Sequence, residues 1–263
     1  MALTDTFGRI HDNLRISITD RCNVRCFYCM PEEGVKYVSH DEILRFEEIE
    51  RFARVAVSLG VTKVRVTGGE PLVRKGLPTL IRMLSGIPGI RDLALTTNGV
   101  LLAQHAKDLY DAGLRRLNVH LDTLDRERFL RITRRDDLDK VLEGLQVARE
   151  LGFGPIKINA VAVKNLVEPD IVPLARFGRE HGLEMRFIEY MPIGADHWER
   201  GKVFFAHEIL ERIEREVAPL VPADDYDPRA PAMEFRYTDG GGSVGIIASV
   251  SRPFCRSCNR LRL

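Results

Sequence analysis

From about residue 14 to residue 190 the chain alternates between two kinds of pattern. Short runs with an apolar residue at every second position stand between longer segments with apolar residues every three or four positions. The short runs are 14–18 (LRISI), 63–67 (KVRVT), 92–96 (DLALT), 116–121 (RLNVHL), 156–161 (IKINAV) and 184–188 (EMRFI). Period two with β-branched residues predicts strands. Between the first two runs, Ile43, Phe46, Ile49, Phe52 and Ala56 fall on one face of a helix. Gly113, Gly152 and Gly182 each stand between a helical pattern and the next strand, where a C-cap belongs. Strand and helix alternating six times imply a parallel sheet with helical crossovers, either doubly wound or a full or partial barrel.

After Met191 the pattern changes. Residues 203–217 read as a helix, residues 219–231 as a polar, Pro-rich stretch, and residues 235–237 and 244–250 as a hairpin around Gly240, Gly241 and Gly242. The expected division is a barrel domain over 1–192 and a C-terminal element over 193–263. Residues 260–263 alternate polar and apolar and stop without a turn signal, as a strand cut midway does, so the expectation is a piece of a longer protein.

Composition narrows the class. With 44% hydrophobic and 29% charged residues, 263 residues bury a substantial core, which excludes a disordered or collagen-like chain. Thirty-nine Lys and Arg against 38 Asp and Glu leave a net charge of +1, too little for a nucleic-acid or anionic-membrane binder. Only eight of the basic residues are Lys. The Arg excess reflects codon usage or anion recognition by planar, bidentate side chains. No apolar run approaches 18 residues and the N-terminus has no apolar signal core, so the expected compartment is the reducing cytoplasm.

The five cysteines carry the chemistry. Cys22, Cys26 and Cys29 form C-x3-C-x2-C, and Cys255 and Cys258 form C-x2-C. Three thiolates on so short a loop converge on one face of a cubane iron–sulfur cluster and leave its fourth iron open to a small ligand. A structural zinc needs a fourth ligand, and no His or Cys stands at a natural spacing. His40, the nearest, reads as part of a helix start at 39–41.

C-x3-C-x-aromatic-C after a first strand resembles the radical S-adenosylmethionine superfamily. Gly68-Gly69-Glu70-Pro71 follows the second strand, where that superfamily has a Gly-Gly-Glu motif for the methionyl ammonium. Thr96-Thr97-Asn98-Gly99 and His120-Leu121-Asp122-Thr123 end the third and fourth strands, the edge where parallel barrels collect ligand contacts. More narrowly, residues 14–23 (LRISITDRCN), 63–67, 186–192 (RFIEYMP) and 255–262 (CRSCNRLR) are similar to the GTP 3′,8-cyclases of molybdenum cofactor biosynthesis, in order from about residue 7 to 263. The fold so implied is an incomplete (β/α)6 TIM-type barrel with a C-terminal α+β element closing the open side.

The resemblance implies that Cys22, Cys26 and Cys29 hold a [4Fe–4S] cluster that cleaves S-adenosylmethionine to a 5′-deoxyadenosyl radical. That radical takes the 3′-hydrogen of GTP, and C3′ then bonds to C8 of guanine. Tyr28, Gly69, Thr96, His120 and Met191 are implied around S-adenosylmethionine; the family commonly has Ser at His120. Arg15, Lys63, Arg65, Arg186, Arg260 and Arg262 are implied for GTP, and Lys157 is split between the two ligands. The strand placement of these cations independently suggests a polyanion pocket. Cys255 and Cys258 are implied in a second [4Fe–4S] cluster, whose third cysteine lies beyond residue 263 in the family. The implied partners are an electron donor and the downstream cyclic pyranopterin monophosphate synthase, with a homodimer open. Trp198 reads either as a cover over the site or as a surface aromatic. The alternatives are a radical enzyme acting on a peptide, and a non-catalytic iron–sulfur or zinc protein.

Overall fold

The computed structural model describes residues 2–194, 197–224, 227 and 229–263, with only the backbone of His40. In chain order its elements are β1 (Asn13–Ser17), α1 (Phe46–Ser58), β2 (Lys63–Thr67), α2 (Leu77–Ser85), β3 (Asp92–Thr97), α3 (Leu102–Asp111), β4 (Arg116–His120), α4 (Arg126–Thr133), α5 (Leu138–Glu150), β5 (Ile156–Ala162), α6 (Ile171–His181), β6 (Glu184–Glu189), α7 (Ala206–Glu216), β7 (Leu220–Pro222), β8 (Met233–Tyr237), β9 (Ser243–Ile247) and β10 (Arg260–Arg262).

All ten strands form one sheet in the order β10-β1-β2-β3-β4-β5-β6-β9-β8-β7. Strands β1 to β6 run parallel, β10 joins β1 in parallel, and β9 joins β6 in parallel. Only β7, β8 and β9 pair antiparallel. The end strands β10 and β7 do not pair, so the barrel is incomplete. Two residues between β7 and β8 reach the β1–β2 end of the sheet: Asp227 lies 3.7 Å from Lys63, and Arg229 lies 3.3 Å from Asp12.

The strand alternation sorts the side chains. Leu14, Ile16, Val64, Val66, Met185 and Phe187 are buried beneath the helices. Their neighbours Arg15, Lys63, Arg65 and Arg186 point to the other face, into the lumen. The core is therefore a jacket between sheet and helices, and the lumen is polar.

Sequence and structure differ in three places. The first helix begins at Phe46 and buries Ile49, Ala53 and Ala56, whereas Phe52 is 41% exposed. At 100° per residue Phe52 and Ala53 flank the Ile49–Ala56 line equally, and it is Ala53's side that is buried. The Pro-rich stretch contains a strand, β7, whose Pro222 is tolerated because β7 is the sheet's edge. The fourth crossover holds two helices, α4 opening on Asp125, whose carboxylate accepts from the Arg128 amide at 2.8 Å. Gly113, Gly152 and Gly182 all have positive φ at helix ends.

Candidate active site

The cysteine loop follows β1 and is fixed to the next strand by backbone contact. The Gly69 amide donates to the Thr19 carbonyl at 2.6 Å, and the Glu70 amide to the Arg21 carbonyl at 2.7 Å. A Cβ at Gly68 would stand 2.5 Å from the Thr19 oxygen, and one at Gly69 2.3 Å from the Arg21 oxygen. Two glycines are thus a steric requirement for seating this loop. Glu70 is 1% exposed and accepts from the Leu72 amide (2.9 Å), the Thr97 hydroxyl (2.7 Å) and the Asn98 amide (2.6 Å). Burial pushes its carboxyl up to about 7 against these donors. Asn98, so placed, points its own amide at the Cys22 sulfur, 3.8 Å away.

Within the loop, the Cys29 and Met30 amides both donate to the Cys26 carbonyl, turning the chain so that all three thiols serve one region. None is in a disulfide. Burial pushes all three thiols up, Cys26 most, and Cys22 and Cys26 are raised further by their neighbouring cysteines. Among the described residues, no three His, Cys, Asp or Glu side chains group tightly enough for a single ion. Three free, mutually close thiols that do not converge on one point fit a polynuclear iron–sulfur cluster, which also relieves the burial of their charge.

Beside the loop, the Tyr28 hydroxyl donates to Asp122 at 2.6 Å and lies 2.5 Å from His120 Nε2, which lies 2.9 Å from Asp122. Asp122 also accepts from the Val161 amide at 2.7 Å. Burial disfavours the imidazolium of His120, but Asp122 outweighs it and raises the pKa. Gly69, Thr96, His120 and Met191 stand at or just past the C-terminal ends of β2, β3, β4 and β6, around this loop.

A second group lies deeper, toward the N-terminal halves of the strands. Arg15, Lys63, Arg65, Arg116, Lys157, Arg186 and Arg260 line one cavity of about 240 Å³. Arg262, Arg15 and Arg65 share one register row across β10, β1 and β2. Among the described residues, no carboxylate is within ion-pair distance of Arg15, Arg65, Arg260 or Arg262. Burial, with Arg260, Arg65 and Arg262 nearby, pushes Arg15 down to about 9; burial and Arg186 push Arg65 to about 10. The buried Nε atoms of Arg15 and Arg260 and the Nη2 of Arg260 have no hydrogen-bond partner among the described residues. Such a row is unfavourable alone and complementary to a polyanion.

Lys157 belongs to this second group by position, 2.7 Å from Glu184 and lining the same cavity as Arg186. Cys255 is exposed and Cys258 half-buried on the turn before β10. Burial opposes the Cys258 thiolate, but the Arg260 amide and the Arg260 and Arg262 charges outweigh it and lower the pKa. The turn is tied to the N-terminal segment by Arg9, which donates to the Cys255 carbonyl at 2.6 Å, and by Asn259, which donates to Asp12 at 2.7 Å. Trp198 is half-buried against the core and donates to the Tyr190 carbonyl at 3.0 Å. A larger groove of about 800 Å³ on the outer helices, with Glu143, Phe177 and His181, contains no predicted site residue.

Residues 16–178 match the family model described as the radical SAM superfamily, and residues 183–263 match that of molybdenum cofactor synthesis C. The GTP 3′,8-cyclase of Rhodopirellula baltica is 50% identical over 267 residues, covering 100% of this chain and 74% of that protein. That of Pelotomaculum thermopropionicum is 50% identical over 262 residues, covering 99% and 81%. The chain belongs to the GTP 3′,8-cyclase family. As a radical S-adenosylmethionine protein it is of a kind that binds a [4Fe–4S] cluster and S-adenosylmethionine, which the three-thiol loop fits. Solved structures agree on the fold. Streptococcus suis SuiB bound to S-adenosylmethionine aligns with TM-score 0.59 at 20% identity, over 75% of this chain and 44% of that one. Methylornithine synthase aligns with TM-score 0.61 at 14% identity, over 78% and 62%.

Sequence reasoning did not single out Asn98, Asp122, Glu184, Glu189 or Glu234 as partners. Asp122 and Asn98 sat inside motifs already noted, but nothing local marks Glu234, which reaches the site only through the order of strands. No helix among the described residues is long and apolar enough to cross a membrane.

Proposed function

We propose that this chain is a radical enzyme that converts GTP to 3′,8-cyclo-7,8-dihydro-GTP, the first step of molybdenum cofactor biosynthesis. The single observation that carries the reading is the pairing, in one lumen, of a three-thiol loop with a row of uncompensated arginines.

When bound, the cluster supplies one electron that cleaves S-adenosylmethionine and so generates the hydrogen-abstracting radical. The chain's own residues do the rest. Cys22, Cys26 and Cys29 hold the cluster. Gly69, Thr96, Tyr28, His120 and Met191 hold S-adenosylmethionine at the strand ends. Arg15, Lys63, Arg65, Lys157, Arg186, Arg260 and Arg262 take the triphosphate and fix the ribose toward the cysteine loop. Holding two reactants in one orientation within an enclosed lumen is the main contribution a protein makes to such chemistry. Cys255 and Cys258 supply two ligands to a second cluster, and the lowered Cys258 thiol supports ligation. On this reading residues 1–192 carry the three-thiol loop, the S-adenosylmethionine contacts and five of the seven triphosphate cations, and residues 193–263 add Arg260, Arg262 and the Cys255–Cys258 pair. An electron donor and the downstream cyclic pyranopterin monophosphate synthase are the working partners, in the cytoplasm.

The test is anaerobic reconstitution with iron and sulfide, followed by reductant and S-adenosylmethionine, measuring 5′-deoxyadenosine with and without GTP. We expect formation that rises with GTP and vanishes in Cys26→Ala. Formation indifferent to GTP would retain the radical chemistry and overturn the substrate.

A further inference from the structure

The lumen cations divide into two sets. Arg15, Arg65 and Arg260 have no carboxylate within ion-pair distance among the described residues, whereas Lys157 and Arg186 have two each. Glu184 Oε1 accepts from Lys157 at 2.9 Å and from Arg186 at 2.6 Å. Glu234 Oε1 accepts from Arg186 at 2.8 Å and lies 3.5 Å from Lys157. Glu184 therefore satisfies both cations by itself, and Glu234 duplicates it.

The two carboxylates differ in origin and exposure. Glu184 is on β6, in register with Lys157, and its side chain is 14% exposed. Glu234 comes from β8, two strands from Arg186, with Gly245 of β9 between them. A Cβ at Gly245 would stand 2.9 Å from Arg186 Cγ, so the glycine is what lets Arg186 cross β9 to reach Glu234. The Glu234 side chain is 30% exposed, against 11% for Lys157 and 12% for Arg186, and it lines the cavity. It is the more exposed carboxylate of the network, and its departure leaves both cations paired with Glu184, which is also the nearer partner of Lys157, at 2.7 Å against 3.5 Å.

We propose that Glu234 is a resident counter-anion that neutralises Arg186 and Lys157 until a substrate phosphate displaces it. The inference rests on the reading of the lumen as a polyphosphate site. A phosphate group offers both cations the same charge-assisted acceptors that Glu234 offers them. Binding then exchanges one anion for another, and the displaced carboxylate lowers net affinity for any polyphosphate that competes for Arg186. A purely structural Glu234 predicts the opposite: its loss loosens Arg186 and weakens binding.

The experiment titrates inorganic tripolyphosphate and GTP into the cluster-loaded full chain under anaerobic conditions, by calorimetry, and follows KM for GTP and thermal stability. Glu234→Gln keeps the shape and removes the charge. We expect it to bind both ligands at least about fivefold tighter and to lower KM without a matching rise in kcat. Glu234→Asp, which keeps the charge with a shorter reach, is expected between Gln and wild type, and serves alone if Glu234→Gln does not fold. Arg15→Ala is the control for the site. Tripolyphosphate binding that Arg15→Ala leaves untouched overturns the lumen reading and the counter-anion with it. Binding that Arg15→Ala weakens, but that a folded Glu234→Gln leaves unchanged or weakens too, overturns the counter-anion alone; so does Glu234→Asp binding no tighter than wild type.

Discussion

Arg15 and Arg65 stand opposite one another in register on adjacent parallel strands, with no carboxylate among the described residues within ion-pair distance of either. Like charges so placed cost free energy, and a folded chain keeps them only where something else is gained. Arg186, on β6 and four strands along the sheet from Arg65, is paired twice.

This contrast predicts opposite effects on the ligand-free protein. Arg15 is pushed down to about 9 from 12.5, so its cost is carried at every pH below about 9 and fades only as pH rises through that value. Arg15→Met is expected to raise stability at pH 7 by about 1–3 kcal/mol. Arg186→Met, which leaves Lys157 as the one cation shared by two partly buried carboxylates, is expected to lower it by about 1–3 kcal/mol. Both should weaken GTP binding at least about tenfold, since each removes a charged contact. Denaturant melts with and without GTP read all four quantities.

Glu70 gives a pH dependence of known sign. Its folded carboxyl titrates near 7 and its unfolded one near 4.5, so the folded state binds more protons between those values. The cost of burying the carboxylate is therefore full above pH 7 and is relieved as pH falls toward 4.5, by up to about 3 kcal/mol. Stability of the metal-free chain against pH, wild type minus Glu70→Gln, should slope upward on acidification over that window. A flat difference would remove Glu70 as the titrating group.

Glu189 ties the two parts of the chain together. It is fully buried and accepts from the amides of Ala206 (2.9 Å), Val250 (2.7 Å) and Ser251 (2.7 Å) and from the Ser251 hydroxyl (2.5 Å). Glu189→Ala orphans these donors and is expected to cost roughly 3–5 kcal/mol. Because the donors begin α7 and follow β9, limited proteolysis should open residues 203–251 before β1 to β5. Uniform loosening of the whole chain would contradict this role.

The parallel strands were legible because they largely follow one rule, apolar outward and polar inward, with Ala94 and Val161 among the exceptions, and β2 begins and ends where its pattern does. The cysteine loop and the arginine set were legible for the same local reason: spacing along one loop, and parity along one strand. What was not legible depends on neighbours distant in sequence. Phe52 and Ala53 are both apolar, and only packing decides which is buried. β7 lies in a Pro-rich stretch that signals a strand only once β8 is beside it. Glu184 looks like any polar strand residue until Glu234 arrives across Gly245 to form a four-charge network with Lys157 and Arg186.

The inward-facing polar residues have a consequence for how such a chain changes over time. Its folding free energy resides almost wholly in the outward-facing positions and the helices covering them. Most inward-facing strand positions are thus under weaker demands from the fold, Lys157 and Arg186, which pair with partly buried carboxylates, excepted. Selection can rewrite the lumen for another substrate, one inward position at a time, while the jacket that keeps the protein folded is inherited unchanged.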